Sequence, residues 1–347
     1  MTEATTSRRA RWRLDLDDYV HVLELSPDRT TAVAGSLSGD ALLFDPEDGA
    51  ARPLERHDMG VLSAAWSADG TTVAVGGQDG LVRMYDDSGE VSRPVDASAW
   101  VTTMAWSPTA PLLAVGAGRR MLIIDPEGAV LHDFADQPST VTGIAWSADG
   151  TCVGATAYGG VGWYDVLGAH AGRQRRFDLR DSVLSLTVSP DGSWACAGTQ
   201  DRAVQLWELW DGADFLMTGY PAKVDKTRFS PDGRWLAVAC LGELSLWDFG
   251  GDGPVGTTPS ATHAHQEPIE DLAWSPSGAA IATGSDDGRT IVWGTPLAGG
   301  ARIQPLTALE FDTGTSRVRW VDEDDLLIGR FDGSVARFAR SMKGSVA

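Results

Sequence analysis

The sequence predicts an all-β protein: a closed ring of eight four-stranded antiparallel sheets in a single domain. Three observations carry this prediction. A short phrase returns at a near-constant interval, turn chemistry follows each copy, and the runs between turns alternate with period two instead of 3.6. The phrase reads apolar, two residues, apolar, one residue, aromatic or aliphatic, Ser. It ends at Ser26, Ser67, Ser107, Ser147, Ser189, Ser230 and Ser275, with Val321 in the last copy, so the spacings are 41, 40, 40, 42, 41, 45 and 46 residues.

Each element of the unit follows in order. The phrase itself is the first strand. It stops at SPDR, SADG, SPTA, SADG, SPDG, SPDG or SPSG, where Pro presets one backbone angle and Asp or Gly takes the tight positions. A second strand follows, as in TTVAVGG, LLAVGAG, SWACAGT, WLAVACL and AIATGSD, short and rich in small or β-branched residues. After a second turn with Gly or Asp, an alternating third strand ends on an aromatic or near it, as in LVRMYD, AVQLWE, ELSLWD, TIVWG and SVARFA. A more variable outer strand leads to the next unit. One such sheet cannot bury both faces, but a ring of them packed face to face can. The eighth unit has only ARSMKGSVA after it, and the alternating run RWRLDLD precedes the first unit. That run is expected to pair onto the last unit and close the ring, removing two open edges. Seven blades with one unit displaced is the alternative. The domain is expected to span 11–340, with disordered tails at 1–10 and 341–347. FGGDGPVGTTPSATHAHQ and TPLAGGARIQ read as surface loops.

These residues resemble the WD-repeat family of β-propellers over roughly 12–340. The family's Trp-Asp dipeptide stands intact at Trp247-Asp248 and relaxes to Phe44-Asp45, Tyr85-Asp86, Ile124-Asp125, Tyr164-Asp165, Trp207-Glu208, Trp293-Gly294 and Phe338-Ala339 elsewhere. The resemblance implies a structural hydrogen-bond tetrad, complete in the seventh repeat as His265, Thr283, Asp287 and Trp293. The second repeat keeps His57 and Asp79, with Tyr85 for Trp and Val75 for the hydroxyl residue.

Composition narrows the function. Hydrophobic residues make up 43% of 347, enough for a core, and 48 acidic against 28 basic residues leave a net charge of -20. Such a surface repels phosphate backbones and anionic membranes, so neither nucleic acid nor membrane is an expected partner. Cys152, Cys196 and Cys240 make no disulfide framework and fit a reducing compartment. No apolar run approaches a membrane span, and the start MTEATTSRRARWRLDLDD lacks the apolar stretch of an export signal. A cytoplasmic protein is the expectation. Lys is confined to Lys223, Lys226 and Lys343, which reads as the codon usage of a GC-rich bacterial genome.

Catalytic patterns are scarce: there is no phosphate-binding GxxxxGK[ST], no GxSxG elbow and no HExxH. GDGPVG at Gly251 to Gly256 has the letters of a dinucleotide loop but opens no helix. His263 and His265 lie two apart, but His265 is claimed by the tetrad. His21, Asp225 and Glu270 sit where the central channel would open and could hold a cation, although a zinc site needs three or four converging ligands. Eight-bladed quinoprotein dehydrogenases also repeat tryptophans, at the far end of their repeat. Here Trp66, Trp106, Trp146, Trp274 and Trp320 recur in the first strand, a packing position. No cofactor, no bound metal and no enzymatic activity are expected.

What remains is recognition. In WD-repeat propellers the narrow face, built from the loops entering the first strand and those joining strands two and three, is the usual docking surface. The resemblance places Tyr19, His21, Leu37, Leu62, Gln78, Trp100, Arg119, Arg120, Tyr158, Leu184, Lys223, Asp225, Glu270 and Phe331 there, a mixture of apolar, aromatic and charged residues suited to a protein or peptide partner. The expectation is a non-enzymatic scaffold, a monomer or one part of a hetero-complex. The alternative is a small-ligand or metal site in the channel.

Overall fold

The computed structural model describes residues 10–135, 137–167, 172, 174–210, 212–251, 253–263 and 265–340. The expected disordered tails therefore lie outside the described residues except for Ala10, which packs against the last blade. The strands form eight antiparallel sheets, and each first strand lies beside the first strands of its two neighbours all the way round, the last beside the first. The fold is an eight-bladed β-propeller, with no unit displaced.

Numbered along the chain, the blades span 20–53, 61–96, 101–134, 143–182, 187–217, 226–263, 269–310 and 315–339. Blades 1, 3, 5, 6 and 7 have four consecutive strands. Blade 2 splits its outer edge into Gly89–Glu90 and Val95–Asp96, both paired to Leu81–Asp86. In blade 4 a single element, Cys152–Asp165, takes the place of both middle strands. Its first half pairs with Gly143–Trp146 and its second half with Gln174–Ser182, and Gly159 and Gly160 take φ of +92° and +123° where it turns. Blade 8 takes its outer strand from the other end of the chain: Arg13–Asp15 pairs antiparallel with Ser334–Ala336.

The second strands of blades 1, 2, 3, 6 and 7 are buried throughout, because they sit mid-sheet with a blade on either face, and this is why they are built of small and β-branched residues. Their glycines answer to a contact. A Cβ on Gly76 would lie 2.4 Å from Val101 Cγ1, and one on Gly329 would lie 2.7 Å from Val20 Cγ1, so the first apolar anchor of each of these blades rests on its neighbour's backbone.

The first-strand tryptophans join blade to blade. The indole N–H of Trp66 donates to Glu24 O at 3.4 Å, Trp106 to Ala65 O at 3.0 Å, Trp146 to Ala105 O at 2.9 Å, Trp274 to Arg228 O at 3.1 Å and Trp320 to Ala273 O at 2.9 Å. Each bond runs from one blade to the blade before it. Blades 1, 5 and 6 carry Leu25, Val188 and Phe229 at that position and have no such donor. At the closing seam, guanidiniums act instead. Arg319 of blade 8 grips both carboxylate oxygens of Glu24, and Arg29 Nη1 donates to Trp320 O at 3.0 Å.

Candidate interaction face and channel

Antiparallel pairing puts the start of each first strand beside the end of the second, as in Val61 opposite Gly77 and Val101 opposite Ala117. The loops entering the blades and the turns joining strands two and three therefore share one end of the ring. Five large apolar side chains stand exposed there: Leu37, Met59, Trp100, Tyr158 and Leu241. The first four belong to blades 1 to 4 or their entrances and form a crescent, in which Trp100 is 54% exposed and Tyr158 57% exposed. Met59 and Leu241 are not among the residues read from the sequence. They lie one or two residues outside the repeat positions considered, and a search of the whole entry loop for apolar residues would have found them.

The other expected residues divide. Tyr19 is half-buried; its ring lies 4.7 Å from that of Phe331 and 6.0 Å from that of His21, and Arg317 reaches its hydroxyl. Burial raises the Tyr19 phenol, whereas burial and then the Arg317 charge push the His21 imidazole down to about 4. His21 is therefore neutral at pH 7. Leu62 and Leu184 are half-buried near the channel mouth, and Gln78 is tied down, its Oε1 accepting from the Gly60 amide at 3.3 Å. Lys223 and Lys226 both flank Asp225, at 3.2 and 3.1 Å, and Glu270 lies in the next blade. Arg119 is exposed and donates to Gln137 O at 2.7 Å. Arg120 turns outward to pair with Asp133 of its own outer strand at 2.7 Å, so its charge is spent away from the crescent. The face thus has an apolar sector over blades 1 to 4 and a charged sector over blades 6 to 8.

The tetrad of blade 7 is complete. Trp293 Nε1–H donates to Thr283 Oγ1 at 2.9 Å, Thr283 Oγ1 meets His265 Nε2 at 2.8 Å, and His265 Nδ1 meets Asp287 at 3.1 Å. Burial lowers the His265 imidazole. Burial opposes ionisation of Asp287, but the Gln266 amide, His265 and the Arg289 amide hold it below its usual range. His265, Thr283 and Trp293 are all buried, with no approach for a substrate, so the chain supports the fold. In blade 2 the His57–Asp79 pair is kept at 3.0 Å, but Val75 offers no hydroxyl and His57 Nε2 is buried without a partner among the described residues.

Metal ligands do not converge: among the described residues no three His, Cys, Asp or Glu side chains are grouped to hold an ion. His263 is exposed on an outer strand while His265 is buried in the tetrad. The channel does contain charge. Arg319 bridges Glu24 and Asp271, at 2.5 Å to each, and that network with Arg228 and Arg317 occupies the side formed by blades 6, 7, 8 and 1. The opposite side presents uncharged positions such as Ala65, Ala105 and Ala145.

The class this geometry defines is the eight-bladed β-propeller. The family described as "WD domain, G-beta repeat" matches residues 51–86, 174–208 and 256–294, so the chain carries WD repeats in three places. Small ribosomal subunit protein RACK1 of Drosophila melanogaster is 31% identical over 114 residues, covering 31% of this chain and 36% of that protein. Actin-interacting protein 1 of Caenorhabditis elegans is 23% identical over 279 residues, 75% of this chain and 44% of that protein. The matched region thus spans less than half the length of either relative. Among solved structures, the computationally designed Ika8 protein superposes with a TM-score of 0.75 at 18% identity, covering 94% of this chain and 97% of that one, a likeness of fold. No helix among the described residues is long and apolar enough to cross a membrane.

Proposed function

We propose that the protein is a non-enzymatic interaction scaffold that docks a protein or peptide partner on its narrow face, at the end where the chain enters each blade. The observation that carries this reading is the crescent of Leu37, Met59, Trp100 and Tyr158, exposed on successive blades with no packing duty that requires it. Aromatic and Met side chains of this kind supply much of the binding energy in protein interfaces, and the ring beneath holds them in place, so little conformational entropy is lost on docking. Lys223, Asp225 and Glu270 across the channel would set the orientation of the partner. One relative bears interaction with actin in its name, which agrees with a docking role for a repeat ring of this kind. The strongly negative charge favours a protein over a nucleic acid, and the reduced cysteines favour work in the cytoplasm.

The test is comparative capture from lysate of the source organism with quantitative mass spectrometry. Wild type, Trp100→Ala/Tyr158→Ala and a control at the opposite end, Leu297→Ser, serve as baits. A partner retained by wild type and control but lost by the double variant is the expected result. Equal recovery by all three baits overturns the proposal.

A further inference from the structure

The end of the channel opposite the crescent holds a guanidinium that the fold does not use. The residue two before each closing Ser, or before Val321, forms a column around the ring: Glu24, Ala65, Ala105, Ala145, Thr187, Arg228, Ala273 and Arg319. Its charged members meet at one cavity of about 400 Å³ at the turn end of the channel, which Arg29 also lines. Arg319 is committed there, gripping Glu24 and Asp271. Arg228 is not: among the described residues its guanidinium makes no hydrogen bond or ion pair, and only its backbone is engaged, paired with Ala237 and accepting from Trp274. Burial and the neighbouring Arg319 charge act against its ionisation and outweigh the pull of the Asp271 and Glu24 carboxylates, both of which are already shared with Arg319.

Arg29 is the second, independent observation. It occupies the left-handed position of its turn at φ +64°, where Gly70, Gly150, Gly192, Gly233 and Gly278 occupy the sister turns at φ between +70° and +74°. A long side chain is thus kept at a position that suits glycine, at a cost in backbone strain. Its Nη1 bond to Trp320 O holds the guanidinium at the cavity wall, but a carbonyl does not neutralise it, and no carboxylate pairs with it among the described residues. The cavity is lined by Arg29, Arg228 and Arg319 against one carboxylate, Glu24, which is already taken by Arg319. With Asp271, the other partner of Arg319, counted in, the three guanidiniums still outnumber the carboxylates by one, in a protein whose net charge is -20, and neither Arg228 nor Arg29 has a carboxylate partner of its own among the described residues.

We infer that this end of the channel binds a phosphoryl group, as inorganic phosphate or a small phosphate monoester, between Arg228 and Arg29. The planar fork of each guanidinium matches two phosphoryl oxygens, and a phosphoryl group has oxygens enough to serve two forks at once, where a single carboxylate serves one. The cavity exceeds the size of phosphate itself and leaves room for the organic part of a monoester. The site lies at the opposite end from the docking face and stands or falls independently of it.

Isothermal titration with sodium phosphate at constant ionic strength tests the site, with glycerol phosphate and succinate as parallel ligands. Wild type gives saturable binding of one phosphate. Arg228→Gln weakens it by about tenfold or more, as expected for loss of a charge-assisted contact. Arg29→Gly also weakens it, while circular dichroism shows the ring intact, since glycine is what the sister turns carry. Saturable binding of glycerol phosphate as well as phosphate assigns a monoester; phosphate alone assigns the free ion. No saturable heat with phosphate up to about 10 mM, equal affinity in Arg228→Gln, or succinate binding in place of phosphate overturns the inference.

Discussion

Thr283 and Val75 occupy equivalent places in two blades, one with its hydrogen-bond chain complete and one with a gap, and exchanging them isolates the hydroxyl from packing. Thr283→Val is nearly isosteric and removes the acceptor of Trp293 Nε1 at 2.9 Å and the partner of His265 Nε2 at 2.8 Å, all in a buried site. A buried polar group left without a partner costs ~1–3 kcal/mol, so two of them together are expected to cost about 2–4 kcal/mol. The reverse change, Val75→Thr, supplies a hydroxyl to the unpaired His57 Nε2 and is expected to add about 1 kcal/mol, the usual net worth of a buried hydrogen bond. Equilibrium urea unfolding followed by circular dichroism reads both, as midpoint shifts of opposite sign at unchanged slope. The reasoning fails if Thr283→Val leaves the midpoint in place. It fails equally if Val75→Thr lowers the midpoint, as an unsatisfied buried hydroxyl would.

Three further outcomes follow. The His21 imidazole titrates near 4 in the fold against 6.5 when free, so the folded state binds fewer protons; its contribution to stability is complete above pH 6.5 and is lost as pH falls toward 4. His21→Gln should therefore flatten the decline of the urea midpoint across that window, and an unchanged profile would show that the imidazole is not the group responsible. Arg319→Met strands Glu24 and Asp271 beside each other; the loss should be about 2–3 kcal/mol, below that of a fully buried pair because Glu24 keeps some water, and thermal unfolding should show it. Removal of residues 1–16 bares the Ser334–Ala339 edge, so the truncated protein should melt lower and self-associate in light scattering as its concentration rises; a monomer of unchanged midpoint would mean that the ring does not depend on Arg13–Asp15.

Most of the fold could be read from the repeat because each unit states its strands, its turns and its length together. Blade count and the closing strand follow from aligning the copies, and the blade 7 tetrad from the resemblance to WD repeats. The fused middle strands of blade 4 were not legible, since Tyr158-Gly159-Gly160-Val161 reads as an ordinary hairpin turn and its pairing depends on neighbours. The candidate face was legible as a set of positions but not as a surface. Trp100 and Tyr158 do stand exposed, whereas Arg120 points outward because Asp133, thirteen residues on, competes for it. The channel chemistry was there to be read in the column holding Glu24, Arg228 and Arg319. Which of those charges would be spent on one another is a matter of distances around a closed circle, and linear order conceals it.

The direction of the tryptophan bonds has a consequence for how the molecule is made. Trp66, Trp106, Trp146, Trp274 and Trp320 each seek a carbonyl in the blade before their own, which has already left the ribosome when they emerge. Assembly can thus keep pace with synthesis, each new wedge settling on a finished one. The strand Arg13–Asp15 must wait unpaired until Ser334–Ala339 has been made before it finds its place.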